Sequence, residues 1–408
     1  MLTVKKALDS LLTNARQIVA SEGVAISKAN GRVLAQSQYS MVDVPNADNA
    51  AMDGYAIRFS DLDGTDTVLT VSQRVPAGSM GSHLWRGEAA RIFTGAPIPD
   101  GADTVVRQEW CTLDGNCLTF NRLPEKKGES VRYRGEDIRK DDLVLKKGTR
   151  LQAQHLGVAA SAGLIDLPVV RRLKVALMST GNELVMHGEL LKPGKIYNSN
   201  RYTLRGLLEN LGCEVTDYGI IPDNLKATQA ALAKAAATGQ DLILTTGGVS
   251  VGEEDHIKPA VECEGRLHFW RVAVKPGKPL VFGEIDDHSG LPVSHSTPVI
   301  GLPGNPVSSF VTFLIFVRPF LLRMQGVENV SPKYYLLRAD FTLDNPDERN
   351  EFLRVRLNEN GGLDLFDNQG SGVLSSTVWG DGLIDNPPLQ PVKKGDLVRF
   401  IPFSELLN

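Results

Sequence analysis

The chain is poor in the features that announce specialised protein classes. Of its 408 residues only four are cysteine, at 111, 117, 213 and 263. No two are spaced C-x-x-C, and so few thiols cannot staple a disulfide scaffold. Neither sign of charge dominates: 44 Lys and Arg stand against 48 Asp and Glu, a net charge of −4. That balance lacks the electrostatic footprint of a nucleic-acid binder. Long hydrophobic runs are missing too. The longest, 310–317, is interrupted by Thr312 and ended by Arg318-Pro319, far short of the roughly 20 residues that span a bilayer. Met1-Leu2-Thr3-Val4-Lys5-Lys6 leads into an amphipathic helix rather than a signal-peptide core. A cytoplasmic protein with inert thiols, and with no membrane or nucleic-acid partner, is the expectation. The seven histidines show no H-E-x-x-H spacing, which argues against zinc. There is no G-x-S-x-G elbow, no Walker A loop and no G-x-G-x-x-G fingerprint.

What remains is a chain with ordinary core-forming material, 42% hydrophobic and 23% charged. Its length suggests about three domains, and its patterning divides it into four parts. Residues 1–43 begin with a helix whose apolar side carries Leu2, Val4, Leu8, Leu11, Leu12, Ala15 and Val19, capped by Thr3. They are expected to pack with 141–172 as a discontinuous connecting domain. Residues 44–140 are rich in turns separated by short β-like runs such as Thr67-Val68-Leu69-Thr70-Val71, a β-rich domain. From 173 to 326 strands alternate with helices. Strands are expected at 173–178, 213–221, 241–246, 268–274, 280–282 and 297–302. Helices are expected at 201–211, 226–237 and from Pro306, a favoured first-turn residue. That alternation implies a central, mostly parallel α/β domain. Residues 327–408 lose the helical period, and a hairpin at 351–366 suggests a small C-terminal β-barrel or sandwich. The fold class is multidomain α/β plus β.

In open α/β sheets ligands bind beyond the carboxyl ends of the strands. Here those ends carry unusual loops: Ser179-Thr180-Gly181-Asn182-Glu183, Pro222-Asp223-Asn224, the glycine-rich 246–255, Lys275-Pro276-Gly277-Lys278-Pro279, and Pro303-Gly304-Asn305-Pro306. Gly247 and Gly248 would let backbone N–H groups approach a phosphate, or are simply tight β–α turns. Glu183, Asp223 and Asp255 are oxygen donors of the kind Mg²⁺ takes together with substrate phosphates, or are helix caps and first-turn acids. Asp223 is the most open to that second explanation. Lys275 and Lys278, held in a Pro-Gly frame, would attract a multiply charged oxyanion, or form a solvated basic turn. Acidic and basic groups on one rim make joint sense if a metal and a polyanion bind there.

At these residues a family resemblance emerges. Asn49-Ala50-Ala51-Met52-Asp53-Gly54-Tyr55-Ala56, Phe93-Thr94-Gly95-Ala96-Pro97 and Arg134-Gly135-Glu136-Asp137 occur in order. They are followed by the segments 179–184, 247–255, 275–279 and 301–306. Together these resemble the molybdopterin molybdenumtransferases, the MoeA and gephyrin E-domain family. The resemblance implies an elongated four-part subunit, a homodimer and contact with a molybdopterin adenylyltransferase. It implies Mg²⁺-dependent insertion of molybdate into adenylylated molybdopterin with release of AMP, the α/β domain binding molybdopterin. By the same resemblance Asp53, Thr94, Glu183, Lys275 and Lys278 would be catalytic. Arg132, Asp137, Asp223, Gly247, Gly248, Ser250, Pro303, Pro306, Arg354 and Ser371 would bind substrate, with Arg354 and Ser371 at the molybdate. Glu183, Asp223 and Asp255 would serve the metal. Asn182 and Asn198 stand where many members of that family have Asp, and 286–296 matches no motif. Competing readings are a tungstate-handling paralogue, a non-catalytic pterin-binding scaffold, and a Mg²⁺-dependent nucleotide pyrophosphatase.

Overall fold

Val175, Ala176, Leu177, Met178, Ser179 and Thr180 are buried on both faces of the strand Lys174–Thr180, the pattern of a strand covered by helices on either side. Around it the computed structural model describes residues 1–250, 255–286 and 296–407. The tail of the glycine-rich loop, 251–254, and the body of the unmatched 286–296 stretch, 287–295, lie outside the described residues. The chain divides into two units, one made of 1–22, 31–35 and 170–408, the other of 23–30 and 36–169.

In the first unit six strands lie in the order Glu214–Ile221, Lys174–Thr180, Leu242–Thr246, Thr297–Leu302, Val281–Ile285 and Gly265–Trp270. The first four pair in parallel, and the last two each run antiparallel to the neighbour before them. The chain moves from Lys174–Thr180 to the strand on one side and then crosses to Leu242–Thr246 on the other. The crevice between those two strand ends is a topological switch point. Helices form where the sequence supplies caps. Asn198 Oδ1 accepts from Arg201 N at 3.2 Å and opens Ser199–Asn210. Asn224 Oδ1 accepts from Ala227 N at 2.8 Å and opens the Ala-rich Leu225–Ala237. A helix not anticipated from sequence, Ile257–Glu264, follows Asp255.

Two expectations are corrected. The segment 268–274 is not one strand. It breaks into Gly265–Trp270 and Val274–Lys275 at Arg271, whose φ is +75° and whose guanidinium stacks on Trp270 at 3.9 Å from the ring centroid. The helix expected from Pro306 forms, and it passes Arg318-Pro319 without stopping. It runs to Met324, because a π-type turn at Phe313–Val317 widens the helix just ahead of the proline, where the ring would otherwise crowd the preceding carbonyls. The helix Pro306–Met324 is long and apolar enough to cross a membrane by composition, yet it is 94% buried within the protein. Finally, the N-terminal helix Val4–Asn14, expected to pack with 141–172, groups with the first unit. Its fully buried Ala7 and Leu11 join Phe313, Phe316 and Phe320 in the main core, because that long apolar helix leaves a face for an amphipathic partner to cover.

The C-terminal strands of this unit are Tyr335–Arg338, Asn350–Leu357, Leu363–Leu365, Gly382–Asn386 and Leu397–Pro402. Leu357 pairs with Leu363 in the expected hairpin. A bridge between Leu363 and Ala339 returns the sheet to its first strand, closing it around Leu353, Val355, Ile384 and Phe400. The short strand Val274–Lys275 adds in parallel to its edge, Lys275 opposite Glu351.

In the second unit six strands are ordered Thr104–Arg107, Gly54–Ile57, Glu88–Ile92, Leu69–Val75, Cys117–Phe120 and Cys111–Asp114. Its strand Gly54–Ile57 is buried on both faces. Tyr55 and Ile57 join Val106 and Phe120, while Ala56 joins Ile92 and Val105, following the alternation of a strand. Tyr39 pairs with Leu143, and the helix Ala153–Ser161 belongs to the same unit.

Leu11→Ala is expected to destabilise the protein by about 2–5 kcal/mol, the range for emptying a buried leucine site. Val378→Ala, at a position 87% exposed, should stay within about 0.5 kcal/mol. Urea denaturation followed by tryptophan fluorescence measures both, and equal effects would contradict the docking of the N-terminal helix.

Candidate active site

The carboxyl ends of the parallel strands open into a cleft of about 700 Å³, a size suited to a small-molecule ligand. The rim residues singled out from sequence meet there. Glu183, Asp223, Asp255, Gly247, Gly248, Ser250, Lys275, Lys278, Pro303, Pro306 and Ser371 all line it. Arg354 does not, and Asp53, Thr94, Arg132 and Asp137 belong to the other unit.

The glycine loop is bound to its neighbours by the main chain. Gly247 N donates to Leu302 O at 3.0 Å, and Ile257 N donates to Gly248 O at 3.1 Å. Trp270 Nε1 donates to Val249 O at 2.7 Å. Gly247 has φ +92°, and a Cβ there would lie 2.4 Å from Thr180 O. Both the left-handed backbone and the close approach therefore require glycine. Behind the loop, Asn200 Nδ2 donates to Thr246 Oγ1 at 2.9 Å and to Gly304 O at 2.8 Å, and Thr246 Oγ1 donates to Pro303 O at 3.0 Å. This buried set ties helix, strand and Pro-Gly-Asn-Pro turn into one wall. The far wall comes from the C-terminal strands: Val307 N donates to Ser371 O at 2.9 Å, which docks the 369–372 segment on the start of the long helix.

The acids differ in how committed they are. Asp223 Oδ2 accepts from Asn182 N at 2.6 Å, and Asn182 Oδ1 accepts from Asp223 N at 3.3 Å. Asp223 thus closes a loop as well as facing the cleft. Lys195 Nζ donates to Asn182 O, holding that loop from the other side. Glu183 is exposed, with its carboxylate folded over Gly181, where an added Cβ would meet Oε2 at 2.6 Å.

The bases divide likewise. Lys275 Nζ lies 2.9 Å from Glu351 Oε1 and 3.3 Å from Asp347 Oδ2. Asp347 is held in turn by Arg349, whose Nε and Nη2 donate at 2.8 and 2.9 Å. Burial works against the Lys275 charge, but the two carboxylates outweigh it and its pKa is raised. The Arg349 hydrogen bonds, against the opposing effect of burial, drive the Asp347 pKa well below the usual carboxylate range. Lys278 is exposed and makes no ion pair among the described residues. Sequence had pointed to two free lysines. Asp347, Glu351 and Arg349 were missed, because only the parallel pairing of 274–275 with 350–351 brings them beside Lys275.

Arg354 sits one layer behind the wall. It is 1% exposed, and Nη2 donates to Gly370 O at 3.2 Å and Nε to Ser376 Oγ at 3.1 Å. It has no carboxylate partner among the described residues, and burial lowers its pKa to about 10, so it remains a cation at neutral pH. It shapes the segment that presents Ser371 rather than lining the cleft.

In the other unit Thr94 N and Oγ1 both donate to Asp53 Oδ1 at 2.8 Å. These bonds, with Arg91 nearby, keep the Asp53 pKa below its ordinary value. Next to them the Arg74 and Arg91 guanidiniums both stack on the Phe93 ring, 4.5 and 4.8 Å from its centroid. Arg132 and Asp137 have exposed side chains, Arg132 on a strand pairing with Asn49.

Three family descriptions match the chain in order: MoeA N-terminal region (domain I and II) over 2–163, probable molybdopterin binding domain over 176–323, and MoeA C-terminal region (domain IV) over 337–403. A molybdopterin molybdenumtransferase from Haemophilus influenzae is 38% identical over 416 residues, covering 100% of both chains. Another from a Nostoc species is 35% identical, covering 88% of this chain and 82% of its own. Among solved structures, a molybdopterin biosynthesis MoeA protein from Pyrococcus horikoshii superposes with a TM-score of 0.84 at 31% identity, covering 98% of this chain and 100% of its own. The match runs end to end, through both units and the rim that holds the cleft, and the chain belongs to the MoeA family of molybdopterin molybdenumtransferases, with a role in molybdenum cofactor biosynthesis.

Proposed function

We propose that the chain inserts molybdate into adenylylated molybdopterin, releasing AMP and molybdenum cofactor. One observation carries the reading: a single cleft at the switch point holds the glycine loop, three carboxylates and the bases Lys275, Lys278 and Arg349. That is a lining for a phosphate-bearing ligand with a companion cation. Among the described residues Lys278 is the cation available to the anion directly. Lys275 is shared with two carboxylates, so an incoming oxyanion competes for it. Preorganised charge and positioning supply the catalysis, and no covalent nucleophile is required.

Mg²⁺ is part of the same proposal. Among the described residues no three His, Cys, Asp or Glu side chains converge to hold a metal unaided. The donors present, Glu183, Asp223 and Asp255, suit an ion that completes its shell with water and substrate phosphate. Bound there, Mg²⁺ would neutralise pyrophosphate charge. A homodimer, contact with a molybdopterin adenylyltransferase, and participation of Asp53, Thr94, Arg132 and Asp137 in turnover are further parts of the proposal.

The decisive assay is AMP release from adenylylated molybdopterin with molybdate, with tungstate and with neither. Release stimulated by molybdate supports the reading. Release indifferent to the oxyanion, or hydrolysis of unrelated dinucleotides at a similar rate, would favour a pyrophosphatase, and binding without release a scaffold. Lys278→Gln should raise KM at least several-fold with an unchanged thermal midpoint, since the side chain is in solvent. A matching loss of thermal stability would mean that the lysine is structural.

The Asp347 cluster has a pH signature. A carboxylate whose folded-state pKa is depressed contributes stability above its unfolded pKa and loses it as pH falls through the folded value. Asp347→Asn should therefore melt below wild type at pH 5–7, and the gap should narrow as pH drops below about 4. A gap constant from pH 7 to pH 3 would show that the charge on Asp347 does not matter.

A further inference from the structure

Trp270 ends the strand Gly265–Trp270 and lies outside the lining of the cleft, yet it holds a residue of that lining. Its Nε1 donates to Val249 O at 2.7 Å. The indole is itself held by two cations: the Arg271 guanidinium at 3.9 Å from the ring centroid, and Lys258 Nζ, from the helix Ile257–Glu264, at 5.2 Å. Cations are attracted to the π cloud of an indole, so the ring has little freedom to turn. Val249 is fixed at its other end too, because its side chain is 2% exposed and packs with Ile257 and Val281. The peptide joining Val249 to Ser250 is trans, and in a planar trans peptide the N–H points opposite to the C=O. With the carbonyl turned to Trp270, the Ser250 N–H is turned away from it. Ser250 is exposed and lines the cleft. Among the described residues Ser250 N donates to no acceptor. A main-chain donor set this way after two glycines suits an oxyanion.

We propose that Trp270 is a positioning residue for the reaction: its indole N–H holds the Val249 carbonyl out of the cleft and so turns the Ser250 N–H into it, as a donor to a tetrahedral oxyanion of the substrates, phosphate or molybdate. This rests on the function proposed above and adds the residue that prepares the loop before the anion arrives. Without the indole donor the Val249 carbonyl needs another partner. Water in the cleft supplies one if the peptide turns over, and an anion then meets a carbonyl oxygen where the N–H stood. The coupling also runs the other way. An anion that polarises the Ser250 N–H makes the Val249 oxygen of the same amide a stronger acceptor, so the Trp270 indole proton senses the ligand without touching it.

The test uses the full chain. Trp270→Phe keeps an aromatic ring for Lys258 and Arg271 and removes the donor, whereas Trp270→Leu removes both. In the AMP-release assay each should raise KM about tenfold, the scale of one hydrogen bond to a charged group, with kcat within about twofold, the pattern of lost binding rather than lost chemistry. The Phe variant should keep a thermal midpoint near wild type. A Phe variant with wild-type KM, or one whose kcat, KM and midpoint all degrade together, means that the indole only packs, and overturns the proposal. The second readout needs no active variant. The chain has four tryptophans, so a proton–nitrogen NMR spectrum holds four indole N–H signals, and that of Trp270 is the one missing from Trp270→Phe. Pyrophosphate and molybdate, titrated separately into wild type, should move this signal downfield in a saturable way, and the anion that moves it identifies the occupant of the Ser250 donor. A signal unmoved by either anion overturns the proposal. If wild type still releases AMP in that case, the role of Trp270 alone is wrong. If the signal moves but wild type releases no AMP, the assigned reaction is wrong and the role of Trp270 in holding the loop stands.

Discussion

A parallel sheet gathers loops at its carboxyl edge, and a reversal of strand order leaves a crevice between two of those loops. Lys174–Thr180 lies between Glu214–Ile221 and Leu242–Thr246, so the segments following it and following Leu242–Thr246 diverge at one place. That constraint locates the cleft. The glycine loop can pass within van der Waals distance of Thr180 only because positions 247 and 248 lack a Cβ, and the turn 303–306 reaches it through the Asn200 and Thr246 hydrogen bonds.

The C-terminal strands give this edge its electrostatic character. By pairing Val274–Lys275 with Asn350–Leu357, they set Glu351 and Asp347 against Lys275 and bring Arg349 to the cleft. Among the described residues the cleft therefore holds one cation in solvent, Lys278, and others already engaged with carboxylates. Such a lining holds a polyanion without a large unscreened field, since the fixed charges are largely neutralised before the ligand arrives. Arg354 follows a different rule: a guanidinium without a carboxylate, kept charged behind the wall and spent on carbonyl and hydroxyl oxygens.

Much of this was legible along the chain. Runs such as 241–246 and the Ala-rich 226–237 state their structure through local periodicity and caps, and alternation of the two implies a parallel sheet. The loops stood out because glycine, proline and charge cluster in them at strand ends. The errors came where a long-range contact overruled the local pattern. The helix at 4–14 announced an apolar face without saying what would cover it, and Phe316 and Phe320 did so. The segment 268–274 looked like one strand, but Arg271 turned its end into a different sheet.

Sequence by itself determined the element types, the family and the set of rim residues, because these depend on neighbours within a few positions or on motifs in order. Only the tertiary structure decided which charges are free and which are spent, and which polar atoms are left waiting. Lys275 and Lys278 read alike in the sequence. They differ because a strand 75 residues further on pairs beside one of them and not the other, a distinction that exists only in three dimensions.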